Sequence, residues 1–145
     1  MLIIILTIID QIIKYFISLY QPHYKVIQGV LEVTYSKNTG TVFGLAPEHN
    51  LDFLILSVFI IAMLTFIIFN LTKKYDKRRF YWDLIMAGGL GNLIDRVYRG
   101  YVLDYLYIKP FGICNFADIL VVLGVLCLLV SLIRNSGMED EKSGG

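Results

Sequence analysis

The sequence predicts an α-helical integral membrane protein of four transmembrane helices with a small extracytoplasmic loop containing β structure. Three observations predict it. The 145 residues are 57% hydrophobic and only 17% charged, with a mean hydropathy of +0.65, a make-up unsuited to a water-soluble fold. Four segments, about 2–19, 51–71, 80–97 and 116–134, approach the roughly 20 apolar residues that a helix needs to cross a hydrocarbon core about 30 Å thick. Finally, KKYDKRR, Lys73–Arg79, carries five positive charges in seven residues, whereas the loops on the opposite side carry two each: Lys25 and Lys37, then Arg99 and Lys109.

The first segment differs from a cleaved signal peptide. It has no basic leading region and no small-residue cleavage site, and Asp10 and Lys14 interrupt its apolar run. A retained helix is expected. Asp10 and Lys14 are four apart and share a helical face, so they can pair as a structural ion pair between helices. The loop that follows, residues 20–50, contains VIQGVLEVTYSKNTGTVFGL, whose Val, Ile, Thr and Tyr content and glycine punctuation predict short strands and turns. Segment 51–71, with Asp52 at its start and Asn70 near its end, is the cleanest span and a plain anchor.

The excess of Lys and Arg puts 73–79 on the cytoplasmic side. Both termini are then cytoplasmic, and residues 20–50 and 98–115 lie outside. In segment 80–97, Gly88, Asn92, Asp95 and Arg96 fall at i, i+4, i+7 and i+8, one stripe. The glycines at 88, 89 and 91 keep that surface low enough for a helix or a substrate backbone to approach. Asp95 and Arg96 diverge by about 100° around the axis, so Arg96 is placed to reach back to Asn92 or across to another helix. Segment 116–134 opens with Asn115 as N-cap and Asp118 at its third position, an ordinary helix start. Residues 1–135 form a single domain in this reading, and 136–145 a polar flexible tail.

Several chemistries are excluded. The basic residues do not form a face between aromatics, so nucleic acid is not a partner. Cys114 and Cys127 have no CxxC partner and no flanking histidine, and read as buried structural thiols; His23 and His49 are isolated, so no metal site is expected. There is no GxSxG, no Cys with a nearby His and no P-loop, and a Ser57/Lys14 pair lacks local support. The predicted topology instead gathers Asn92, Asp95, Arg96, Asp104, Asn115 and Asp118 at one membrane surface. Two aspartates brought within about 3 Å share a proton, one acting as base toward water and the other as acid toward the substrate. Such a pair hydrolyses peptides, and either Asp95 or Asp104 could join Asp118. A small transporter would place its carboxylates at the bilayer midplane in duplicated halves, whereas only Asp10 is near a midplane here and the halves do not repeat. A non-catalytic assembly subunit would leave the polar cluster without purpose.

DQIIK (Asp10–Lys14), NTGTVFG (Asn38–Gly44), GGLGNLIDRVYRGYVLDY (Gly88–Tyr105) and CNFAD (Cys114–Asp118) resemble, in order and spacing, the sequence blocks of the lipoprotein signal peptidase family, the bacterial signal peptidase II aspartyl endopeptidases. The resemblance covers the chain apart from its tail. It implies removal of the signal peptide from prolipoproteins, just before a cysteine carrying a diacylglyceryl group, at the outer face of the bacterial cytoplasmic (inner) membrane. It further implies catalysis by Asp104 and Asp118, with Asn38, Gly40, Asn92, Asp95, Arg96 and Asn115 lining or bracing the site and Asp10 and Lys14 as structural support. No cofactor or metal is implied. The partners implied are prolipoprotein substrates and membrane lipids, and the protein is expected to act as a monomer. Tyr105 departs from the family pattern, where Phe is commoner, and so does Cys114, where the family has an apolar residue.

Overall fold

The computed structural model describes residues 1–39, 55, 58–63 and 78–143. Helix α1 (Leu2–Tyr20) matches the first predicted segment and is long and apolar enough to cross a membrane. Its outward face carries Ile5, Ile8, Ile12 and Phe16, all exposed in the isolated chain, while Asp10 and Lys14 are completely buried. Apolar outside and charged inside is the arrangement that a lipid solvent favours, since ionisable groups in a span must face protein partners. The helix stops where Gln21 adopts a left-handed conformation (φ 43°) and donates its N–H to the Ile17 carbonyl at 2.9 Å.

Strands β1 (His23–Ile27) and β2 (Leu31–Asn38) then form an antiparallel hairpin, as the loop composition predicts. Residues 40–50, including Gly40 and His49, lie outside the described residues, as does the predicted span 51–71 apart from Ile55 and 58–63, which are helical. Asp52, Ser57, Asn70 and the basic residues 73–77 are likewise outside.

Helix α2 (Arg78–Arg99) packs against α1 and, more extensively, against α3 (Phe116–Ser143). Leu84 and Ala87 of α2 and Leu120 of α3 form the buried apolar centre, with Ile3, Leu6 and Phe116 around it. Gly100 ends α2: at φ +75° it takes the left-handed position after the helix and donates its N–H to the Arg96 carbonyl at 3.2 Å. The chain thereby turns directly into β3 (Val102–Ile108), which pairs with β2 on one side and with β4 (Gly112–Cys114) on the other, giving an antiparallel sheet in the order β1-β2-β3-β4.

Two expectations change, while helix α3 runs to Ser143 and so into the segment read as a polar tail. The β structure is not confined to residues 20–50, because 98–115 supplies β3 and β4. The cysteines are also not both buried: Cys114 is half-buried, with its thiol on the Leu106 carbonyl at 3.4 Å, and Cys127 is exposed. Cys127 shares the outer surface of α3 with exposed Val122, Leu123, Leu126 and Val130. Its apolar neighbours in sequence form an outward face rather than a protein interior.

Candidate active site

Strand pairing positions the first carboxylate. The β2–β3 ladder sets Ser36 opposite Asp104 and Asn38 opposite Val102, which brings the Asn38 side chain to Asp104. Asn38 donates Nδ2–H to Asp104 Oδ2 at 2.8 Å, and Asn115 donates Nδ2–H to Asp104 Oδ1 at 2.6 Å. Both bonds go to a side chain only 3% exposed.

The start of α3 positions the second. Asp118 donates its backbone N–H to Asn115 Oδ1 at 3.0 Å, and Asn115 returns its backbone N–H to Asp118 Oδ2 at 3.1 Å. This is a capping box, and it satisfies two N–H groups that a helix start leaves open. Asn92 of α2 supplies a third bond, Nδ2–H to Asp118 Oδ1 at 2.8 Å, and its own Oδ1 accepts from Asn115 Nδ2 at 3.1 Å. One buried asparagine, Asn115, therefore touches both carboxylates.

Burial pushes the Asp104 carboxyl above the ordinary carboxylate range; the Asn38 and Asn115 bonds pull it back, the Asp118 charge adds to the rise, and Lys14 opposes it. Burial also raises the neighbouring Cys114 thiol, with smaller contributions from Asp118 and Asp104. Asp118, half-buried, borders a cavity of about 310 Å³ whose walls include Ile60, Ile61, Val121 and Val122 and whose polar end holds Asn92 and Arg96. Arg96 reaches back to the Asn92 carbonyl at 3.3 Å, one of the two directions expected of it.

A second buried cluster adjoins the first. Lys14 pairs with Asp10 at 2.9 Å, as their spacing predicts, and also with Asp95 at 3.0 Å. Asp95 is saturated: Oδ1 faces the Arg99 guanidinium and Gln11 Nε2, and Oδ2 meets Lys14 and the Leu103 N–H at 3.0 Å. Asp10 accepts the Ala117 N–H at 3.2 Å and so ties α1 to the start of α3. The close approach depends on Gly91, where a Cβ would sit 2.5 Å from Asp10 Oδ2. The stripe expected on α2 thus divides, with Asn92 facing Asp118 and Asp95 facing α1.

Three participants escape the sequence reading. Gln11 donates to Asp10, to the Gly91 carbonyl and to Asp95. Arg99 lies four residues after Asp95 on α2, a spacing that could have revealed the pair. Tyr105 accepts the Phe116 N–H on its hydroxyl at 3.2 Å, capping another open donor of α3 that Phe would leave unmet, and burial raises its phenol to about 12. Among the described residues, no group of three or more His, Cys, Asp or Glu could hold a metal ion.

An apolar helical chain in which two aspartates meet through one asparagine, beside an apolar-walled cavity, has the make-up of a membrane hydrolase of the aspartyl type. The comparisons agree with that class and narrow it. The family profile described as signal peptidase (SPase) II matches residues 2–134, and the chain belongs to that family of proteases. It is 36% identical to the lipoprotein signal peptidase of Caldicellulosiruptor bescii over 77% of this chain and 73% of that protein. Its identity to the lipoprotein signal peptidase of Halothermothrix orenii is 31%, over 95% and 97%, and to that of Streptococcus thermophilus 38%, over 86% and 84%. Among solved structures, a bacterial membrane enzyme determined by the in meso method at 1.9 Å superposes with a TM-score of 0.81 at 28% identity, covering 92% of this chain and 90% of that one.

Proposed function

We propose that the protein removes the signal peptide from diacylglyceryl-modified prolipoproteins, cleaving before the lipidated cysteine with Asp104 and Asp118 as the catalytic pair. The observation that carries this reading is the bridging of the two carboxylates by Asn115, which donates to Asp104 through Nδ2 and to Asp118 through its backbone N–H. The pair holds one proton and one water. The ionised member takes a proton from the water as its oxygen attacks the scissile carbonyl carbon, and the protonated member donates to the carbonyl oxygen. Collapse of the resulting diol, with a proton delivered to the leaving nitrogen, breaks the peptide bond.

In the proposed topology, residues 1–135 form one four-span domain with both termini cytoplasmic and the pair near the outer face, where water meets a substrate held in the bilayer by its acyl chains. Such a substrate enters laterally, and the apolar-walled cavity beside Asp118 is where its backbone would lie, with Asn92 and Arg96 at the polar end. The hairpin β1–β2, through Asn38, and Gly40 beyond it would clasp the signal peptide from above. In this reading the protein acts as a monomer. Asp95, with two donors on each oxygen and the Lys14 and Arg99 cations among them, braces rather than reacts.

The test uses purified protein and a diacylglyceryl-modified precursor, with unlipidated precursor as control. Asp104→Asn and Asp118→Asn each abolish cleavage while the protein remains folded, and Asp95→Asn lowers yield without changing the chemistry. Substantial activity in either of the first two sinks the pair. Loss of activity in Asp95→Asn alone, with Asp104→Asn active, would instead favour an Asp95 and Asp118 pair.

A further inference from the structure

We infer that Lys14, beyond pairing buried charges, is a positioning residue for the carboxylate pair: its ammonium holds the Asn92 amide with oxygen toward α1 and nitrogen toward Asp118. The inference rests on the catalytic reading of Asp104 and Asp118. Lys14 is completely buried, and its ammonium has three acceptors: Asp10 Oδ2 at 2.9 Å, Asp95 Oδ2 at 3.0 Å and Asn92 Oδ1 at 2.9 Å. An ammonium has three hydrogens and no lone pair. Two of them suffice to pair the carboxylates, and the third is aimed at a neutral amide.

That third bond has a chemical consequence. Because an ammonium can only donate, the Asn92 atom facing it is oxygen, and the amide N–H groups point the other way, where one meets Asp118 Oδ1 at 2.8 Å. The opposite end of the chain of bonds is fixed in the same manner. The Asp118 backbone N–H can also only donate, so it selects the oxygen of Asn115 and turns the Asn115 nitrogen toward Asp104 Oδ1 and Asn92 Oδ1. Two obligate donors, one on α1 and one at the start of α3, thus orient both amides that hold the pair. Without the ammonium, Asn92 keeps one donor on its oxygen, from Asn115, and its orientation loosens.

Lys14 also acts through charge. The charged and titratable groups around Asp104 are Asp118 on α3, Arg96 on α2, Cys114 on β4 and Lys14 on α1. Lys14 favours the ionised form of Asp104, so its loss displaces the acid limb of the activity profile to higher pH.

Lys14→Met alone leaves two buried carboxylates short of a cation, so the test uses two charge-balanced double variants that keep the Asp95 and Arg99 pair. Asp10→Asn with Lys14→Met offers Asn92 no donor from position 14 and leaves its oxygen with Asn115 alone, while Asp10→Asn with Lys14→Gln restores a neutral N–H donor there. With lipidated precursor, and normalised to folded protein by thermal unfolding, the Met variant loses five- to tenfold in kcat with KM within twofold. The Gln variant recovers to within two- to threefold of the parent kcat, while both keep the displaced acid limb. Equal kcat in the Met and Gln variants overturns the inference, as does failure of both to accumulate folded, which would assign Lys14 to the fold alone. Failure of the catalytic pair itself would appear separately, as cleavage by Asp104→Asn.

Discussion

Asn115 offers the sharpest separation of folding from chemistry, because its side chain does two jobs through two atoms. Oδ1 caps α3 by accepting the Asp118 N–H, and Nδ2 donates to a buried carboxylate oxygen at 2.6 Å. Loss of an N-cap costs about 1 kcal/mol, and loss of a hydrogen bond to a charged group costs about 1.5–3 kcal/mol. Asn115→Ala removes both and is expected to destabilise the protein by about 2.5–4 kcal/mol. Asn115→Ser keeps the cap, since Ser caps as well as Asn, but its hydroxyl is too short to replace the amide at Asp104. If the lost bond is expressed fully in the transition state, cleavage falls roughly 10- to 150-fold in both variants. The pH dependence has a defined sign. The Asn115 bond stabilises ionised Asp104 against the rise caused by burial, so without it the acid limb of activity moves to higher pH. The stability lost in Asn115→Ser is largest above the raised pKa of Asp104 and narrows as pH falls through it, where the carboxyl is protonated in both proteins. Thermal unfolding in detergent and cleavage of a lipidated precursor, each across pH, measure these effects. Wild-type cleavage by Asn115→Ser, or equal unfolding of the Ser and Ala variants, would refute the division of labour.

Two further substitutions probe neighbouring contacts. Asn38→Ala removes the donor at Asp104 Oδ2 from an exposed strand end; activity should fall about tenfold, for the loss of about 1.4 kcal/mol, and its acid limb should rise in pH with little change in unfolding temperature, so an unmoved limb would exclude Asn38 from the site. Gly91→Ala puts a methyl 2.5 Å from Asp10 Oδ2 and 3.3 Å from the Ala117 Cβ, so about 1–3 kcal/mol of overpacking strain is expected as Asp10 is pushed from Lys14 and from the Ala117 N–H. An unchanged unfolding temperature would show that α1 and α2 can separate at no cost.

Local patterns carried the sequence a long way where a feature depends on a short stretch of chain. Four-residue spacing found the Asp10 and Lys14 pair, three-residue spacing found the cap of α3, and a hydrophobic run located α1 to within a residue. What failed to show was built by contacts distant in sequence. Strand β3 reads VLDYLYI, and in isolation its aspartate argues against a strand; it becomes one because β2, more than sixty residues earlier, pairs with it and Asn38 covers the charge. Likewise Cys127 has the apolar neighbours of a core residue, but hydropathy alone does not distinguish a protein interior from a lipid-facing surface.

The choice between Asp95 and Asp104 illustrates which physical distinction sequence cannot supply. Both carboxylates are nearly or fully buried, both are hydrogen-bonded, and they lie nine residues apart in one motif. They differ in what holds them. Asp95 faces the Lys14 ammonium and the Arg99 guanidinium, with Gln11 and the Leu103 N–H on its remaining lone pairs, so its charge is compensated and no oxygen is left for a water. Asp104 is held by the neutral amides of Asn38 and Asn115, which orient a carboxylate without neutralising it and leave it able to exchange a proton with a partner. General acid and base catalysis requires that second condition. Cations around one aspartate and amides around its neighbour are therefore the physical basis for reading the first as brace and proposing the second as reactant.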